Sequence, residues 1–67
     1  MLIKKSITIK RHRTSLSLEK EFWDALKIIA KIKNCSLEKL ITKIDFERKT
    51  SLASSIRVYL LKFYMKN

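Results

Sequence analysis

The fold is decided by the stretch Arg13-Thr14-Ser15-Leu16-Ser17-Leu18, which continues without a linker into Glu19-Lys20-Glu21-Phe22-Trp23-Asp24-Ala25-Leu26. In the first part apolar and polar residues alternate, which is the period of a β-strand. In the second part the apolar residues recur every three to four positions, which is the period of an amphipathic helix. The sequence therefore predicts a short strand, with one apolar and one basic-polar face, that runs directly into a helix.

The predicted strand covers residues 6–18 and follows a basic arm, but its alternation changes partway. Ile9 has the same parity as Arg13, whereas Leu16 has the opposite parity. One straight strand would place the isoleucine on the basic face. A break is therefore expected within residues 10–12, as either a bulge or a tight hairpin turn.

Three helices are predicted after the strand, over about residues 19–33, 37–48 and 51–65. The apolar stripe of the first helix is expected to comprise Phe22, Ala25, Leu26, Ile29 and Ile32. Asn34 is a suitable left-handed residue to end this helix, and Ser36 is a good N-cap for the next. The chain is thus expected to be one domain over residues 1–67, mainly α with one short N-terminal β-ribbon.

The small size of the chain makes a partner subunit the expected source of stability. A domain of 67 residues buries only about 60% of its unfolded surface. Cys35 is the only cysteine, so no disulfide within the chain can help. The third helix also carries a second apolar face, with Val58, Leu61 and Met65, which one short chain has little means to cover. These features predict an obligate homodimer.

The distribution of charge points to a polyanionic partner. The net charge is +10, and residues 1–18 contain five bases and no acid. A basic strand of this kind is typical of a β-ribbon that contacts double-stranded DNA. The cations expected to touch DNA phosphates are Lys4, Lys5, Lys10 and Arg11.

Other classes of function have little support in the sequence. His12 is the only histidine, glycine is absent, and no nucleophile–base pair is apparent, so we expect no enzyme, no metal and no cofactor. No apolar run approaches the ~20 residues of a membrane span, so no membrane partner is expected. A lone cysteine fits a reducing cytoplasm, where a DNA-binding protein would be associated with the nucleoid.

The chain resembles the ribbon-helix-helix family of DNA-binding proteins, and in particular a subfamily of small prokaryotic members. The resemblance spans roughly residues 6–64. It is carried by His12-Arg13-Thr14-Ser15-Leu16-Ser17-Leu18-Glu19, Phe22-Trp23-Asp24-Ala25-Leu26, Ser36-Leu37 and Ser51-Leu52-Ala53-Ser54-Ser55-Ile56-Arg57. It implies an intertwined homodimer in which two subunits pair their strands into an antiparallel ribbon that enters the major groove.

The resemblance also implies roles for particular residues. The outward strand positions, expected to read bases, are Arg13, Ser15 and Ser17. Backbone amides at the start of the family's second helix hold a phosphate, and that helix is the one after Ser36 or the one after Ser51. The positions expected in the dimer core are Leu16, Leu18, Phe22, Leu26, Ile29, Ile56, Tyr59, Leu60 and Phe63.

The expected function is therefore that of a homodimeric DNA-binding protein, a transcriptional repressor or autoregulator. The alternative is a protein-interaction module of the antitoxin type, which would hold a partner protein through the ribbon or the third helix. The second apolar face of that helix motivates the alternative.

Overall fold

The computed structural model describes residues 1–66 and has two strands followed by three helices. The strands and helices are β1 (Leu2–Ile9), β2 (His12–Glu19), α1 (Lys20–Ile32), α2 (Leu37–Glu47) and α3 (Leu52–Met65). The predicted fold class, a short N-terminal ribbon followed by three helices, is confirmed. The basic arm expected before the strand is itself part of β1.

A tight two-residue turn joins the two strands. Lys10 and Arg11 have φ angles of 52° and 69°, and the flanking Ile9 and His12 are directly paired. Two successive residues with positive φ match a type I′ turn, whose twist suits a β-hairpin. Of the two alternatives for residues 10–12, the structure has the hairpin turn.

The hairpin removes the parity conflict in the sequence. Paired residues across the antiparallel strands lie on the same face, and each odd-numbered position of β1 pairs with an even-numbered position of β2. Ile3 is therefore paired with Leu18, and Ile7 with Thr14. The apolar residues of both strands thus share the inner face, where they pack against the helices.

The first helix begins at the end of β2 and stops at a left-handed residue. Asn34 has a φ of 56°, as predicted for this position. The N–H of Asn34 donates to the Lys31 carbonyl at 3.1 Å, and the N–H of Cys35 donates to the Ala30 carbonyl at 2.9 Å. These two bonds form a Schellman motif, which satisfies carbonyls that a helix end leaves free.

The buried face of α1 is rotated by about one position from the predicted stripe. Its buried residues are Trp23, Leu26, Ile29 and Ala30. Ile32, which was expected in the stripe, is 65% exposed, and Phe22 is only half-buried. Trp23 takes the central place because its Nε1–H donates to the Ile3 carbonyl at 2.8 Å. A buried indole needs such an acceptor, and the early residues of β1 supply it.

Serine caps begin the other two helices. The hydroxyl of Ser36 accepts a hydrogen bond from the Lys39 N–H at 3.0 Å, and that of Ser51 accepts one from the Ser54 N–H at 3.2 Å. Each bond satisfies one of the amides that the start of a helix leaves free. The buried residues that follow are Leu40, Ile41 and Ile44 in α2 and Ile56 and Leu60 in α3.

The core lies between the inner face of the hairpin and the three helices of the same chain. It consists of Ile7, Ile9, Leu16, Leu18, Trp23, Leu26, Ile29, Ala30, Leu40, Ile41, Ile44, Ile56 and Leu60. Within residues 1–66 it includes no polar or charged residue and no buried side-chain polar atom without a hydrogen bond. The single chain thus forms its own core, and the two paired strands cover one side of it.

The backbone of the turn predicts that glycine at position 11 will stabilise the protein. A left-handed conformation costs about 1–2 kcal/mol at a residue with a Cβ, and glycine avoids this cost. Arg11→Gly should raise the free energy of unfolding by about 0.5–1 kcal/mol. The gain is smaller than the full cost because glycine also increases the conformational entropy of the unfolded chain. Urea denaturation would measure it. Arg11→Ala removes the same charge but keeps the Cβ, so equal stability of the two variants would contradict the prediction.

The core predicts large losses of stability at its centre. Leu26 and Ile56 are both fully buried. Replacing either with alanine should lower the free energy of unfolding by ~2–5 kcal/mol, because a cavity is left among packed side chains. Ile28→Ala is the control, since this α1 residue is 54% exposed. Thermal and urea unfolding would measure all three, and equal losses at Leu26 and Ile28 would refute the observed helix faces.

Candidate nucleic-acid interface

The outward face of the hairpin is polar and basic on both strands. Its paired positions are Lys4 with Ser17, Ser6 with Ser15, and Thr8 with Arg13. Because directly opposed residues share a face and the pairs alternate along the strands, these six side chains form one surface. We call it the ribbon face. It has a cation on each strand and four hydroxyl groups, and the first acid in the chain, Glu19, lies beyond it.

The ribbon face has the donors and the size required for contact with base edges. Arginine can donate two hydrogen bonds to the guanine O6 and N7 atoms, and hydroxyl groups can donate or accept at any base. The major groove is about 12 Å wide and admits a two-stranded ribbon. Sequence reasoning had assigned Arg13, Ser15 and Ser17 to such a surface, but it missed Ser6 and Thr8.

Lys4 and Lys5, both predicted from the sequence to contact phosphates, lie on opposite faces of β1. Lys4 belongs to the ribbon face, opposite Ser17. Lys5 turns inward, where its Nζ lies 5.1 Å from the centre of the Trp23 ring. The pKa of Lys5 is lowered, first by loss of hydration and then by the neighbouring charge of Lys27. Lys5 is therefore a packing residue above the indole and does not share a face with Lys4.

The other two predicted phosphate contacts of the ribbon form its tip. Lys10 and Arg11 are the two residues of the turn, and both are exposed. The Lys10 ammonium lies over the ring of Phe46, 5.4 Å from its centre. This cation–π contact links the tip of the ribbon to the end of α2.

The two predicted phosphate sites at helix starts have their serine hydroxyls engaged in capping. A phosphate would therefore meet the remaining free amides of these turns rather than the hydroxyl of Ser36 or Ser51. The start of α3 is beside the hairpin, because Leu52 shares a cleft with His12 and Thr14. The start of α2 opens toward α1, where Ser36 shares a cleft with Lys27.

An ion pair fixes the base of the ribbon to α3. Arg57 donates from Nη2 to Glu19 Oε1 at 3.0 Å, and its guanidinium lies 5.6 Å from the centre of the Phe22 ring. The pKa of Glu19 is lowered, chiefly by a backbone hydrogen bond and then by Arg57. The two side chains are 36% and 39% exposed, so the pair adds little to the stability of the fold.

Most residues expected in the dimer core are buried inside one chain. These are Leu16, Leu18, Leu26, Ile29, Ile56 and Leu60. The other three, Phe22, Tyr59 and Phe63, are half-buried against the same core. Burial raises the pKa of Tyr59. The covering of these nine side chains therefore does not by itself require a partner.

An apolar surface remains exposed on the side of α1 and α3. A groove there is lined by the apolar residues Phe22, Ala25, Leu60, Leu61 and Tyr64 together with the charged residues Glu21 and Arg57. Leu61 is 60% exposed and Tyr64 is 51% exposed in this groove. We call this surface the α1–α3 face. It includes part of the second apolar face predicted for the third helix.

The described residues, 1–66, contain no cluster of three or more side chains that could hold a metal ion. Over the same residues, none of the helices is long and apolar enough to cross a membrane.

The family model for the ribbon-helix-helix domain matches residues 2–64, nearly the whole chain. The chain belongs to the ribbon-helix-helix family. Ribbon-helix-helix proteins are DNA-binding regulators that generally bind DNA as dimers and are typically not enzymes. No curated protein and no solved structure shows a significant similarity to the chain.

Proposed function

We propose that this ribbon-helix-helix protein is a sequence-selective transcriptional repressor or autoregulator that inserts its hairpin into the major groove of DNA at the nucleoid. The observation that supports this most directly is the ribbon face, where Lys4 and Arg13 flank four hydroxyl groups across two paired strands. Cations attract the DNA backbone, while arginine and hydroxyl groups can discriminate base edges. Lys10 and Arg11 then contact phosphates beside the groove.

Each chain supplies a complete two-stranded ribbon in this proposal. β2 is already paired along one edge with β1 of the same chain. Pairing two β2 strands between subunits would give a sheet of four strands, about 14 Å across at the usual strand spacing. Such a sheet is wider than the major groove, which accepts two strands. A single hairpin per half-site therefore fits better than a ribbon shared between subunits.

We propose that two copies associate through the α1–α3 face. The groove in this face is lined almost entirely by apolar side chains, which favours contact with another apolar surface. Its lining also includes one acid, Glu21, and one base, Arg57. An interface around a two-fold axis uses the same patch on both subunits. The acid of one subunit can therefore lie near the base of the other. Such a dimer would present two hairpins to a palindromic operator.

Binding to DNA can be tested by comparing two positions of the ribbon. Arg13→Ala should weaken binding to a preferred duplex by ~1–3 kcal/mol per lost base contact and flatten the preference at that base pair. Lys5→Ala removes the same charge from the inner face, so it should leave the preference unchanged. Fluorescence anisotropy with a selected duplex and a scrambled one would measure both.

The outcomes of this comparison are distinct. Failure of the wild-type protein to bind any duplex at low salt would refute the proposed function. If Arg13→Ala weakens all duplexes equally, Arg13 is a phosphate contact, and the reading of bases would have to lie with the hydroxyl groups. A loss of preference in Lys5→Ala as large as that in Arg13→Ala would contradict the assignment of faces.

The dimer has its own test. Leu61→Glu places a charge within the apolar groove and should shift the protein to monomers in sedimentation equilibrium, because an unpaired charge is costly to bury. The neighbouring Lys62→Glu lies outside that groove and serves as the control. The thermal midpoint of the wild type should rise with protein concentration, and that of Leu61→Glu should not. A monomeric wild type at micromolar concentration would refute the proposed interface.

An antitoxin-type interaction module is the second candidate function, and the same α1–α3 face favours it. It predicts that the isolated protein is monomeric and that a stoichiometric partner protein masks Leu61. Co-purification of such a partner without DNA, lost in Leu61→Glu, would support this candidate over the homodimer.

A further inference from the structure

A second basic surface lies outside the ribbon face, in a groove between the turn of the hairpin, the end of α1 and one side of α2. Four lysines line it: Lys10, Lys33, Lys39 and Lys43. The remaining lining residues are Asn34, Cys35, Leu40, Thr42 and Phe46. Among residues 1–66, none that lines this groove has a carboxylate. We call it the lysine groove.

The sequence of α2 explains why the lysines gather there. Lys39, Lys43 and Phe46 follow one another at spacings of four and three, which places them on one side of a helix. The opposite side, with Ile41 and Ile44, is buried in the core. The basic side of α2 therefore faces away from the core, toward the tip of the ribbon.

The nearest acids of α2 are occupied by other groups. Glu38 accepts a hydrogen bond from the Thr8 N–H at 3.0 Å, which satisfies the outer edge of β1. Asp45 is paired with Arg48 at 2.7 Å. Within residues 1–66, none of the four lysines of the groove belongs to an ion pair of its own. Their charge remains available to an external anion.

We propose that the lysine groove binds the phosphate backbone of the same duplex whose major groove receives the hairpin. The groove is continuous with the ribbon, since Lys10 is both a turn residue of the hairpin and a lining residue of the groove. A duplex held on the ribbon face therefore has its sugar–phosphate backbone beside this tip. Lysines act as point charges toward phosphate and carry no base code, so this surface adds affinity without selectivity.

The Phe46 ring has a positioning role in this arrangement. It is 77% exposed, and the Lys10 ammonium lies over it. The contact holds the Lys10 side chain toward α2, where its charge joins those of Lys39 and Lys43. The ring thus holds one cation, Lys10, at the groove, and this contact gives a role to an aromatic ring that is largely exposed to solvent.

The inference rests on the proposed function, and a charge-matched pair of double variants separates the two. Lys39→Gln with Lys43→Gln removes two cations of the lysine groove. Lys49→Gln with Lys62→Gln removes two from a cleft between α2 and α3. All four positions are exposed, so both variants should fold as the wild type does. Anisotropy titrations with a labelled duplex across salt concentrations would give the slope of log affinity against log salt.

The groove variant should reduce that slope by about 0.9 for each lost phosphate contact, close to two per bound chain, and weaken selected and scrambled duplexes by the same factor. The control should keep nearly the wild-type slope. Lys39→Arg with Lys43→Arg should restore it, because the charge is retained.

Three results would overturn the inference. The first is wild-type binding to DNA with an unchanged slope in the groove variant, which leaves the proposed function intact. The second is an equal loss of slope in the control, which would mean that only net charge matters. The third is loss of binding to vesicles of phosphatidylglycerol in the groove variant with DNA binding unchanged, which would make the groove a membrane contact. No binding of the wild type to any duplex would instead refute the proposed function.

Discussion

The two-residue turn of Lys10 and Arg11 is the constraint on which the rest of the structure depends. A turn of this length fixes the register, so that Ile9 is opposite His12 and every further pair follows from it. A slip by one residue would send the apolar side chains of one strand to solvent. Both the core and the ribbon face are consequences of one turn made by two non-glycine residues in left-handed conformations.

This constraint also explains how a short chain closes a core alone. The inner face of β1 contributes Ile7 and Ile9 beside Leu16 and Leu18 of β2. The Trp23 indole joins helix and hairpin through its hydrogen bond to the Ile3 carbonyl. β1 thus provides, from within the chain, part of the apolar surface that the sequence predicts a partner subunit would supply. The dimer that we propose would then have a different role, which is to present two hairpins rather than to complete a core.

Local signals made the helices and their ends predictable. Asn34, Ser36 and the apolar spacing of α2 each act through contacts within a few residues, so a single sequence contains the necessary information. The face of α1 was less predictable. Trp23 is buried because β1 offers a carbonyl 20 residues earlier in the chain. Helical periodicity alone cannot indicate such a distant acceptor. The exposure of Ile32 follows from the same rotation.

The candidate interface was predictable for one strand and not for the other. The alternation of Arg13, Ser15 and Ser17 is visible in the sequence, whereas Ser6 and Thr8 join them only through the register that the turn sets. The parity change between Ile9 and Leu16 was the available signal, and it left a bulge and a hairpin equally open. A bulge would have left residues 6–18 as one strand, with Lys4 and Lys5 on an arm before it. The hairpin instead divides the basic residues among a ribbon face, an inner packing position and a groove at the tip, so residues with the same charge acquire different proposed roles.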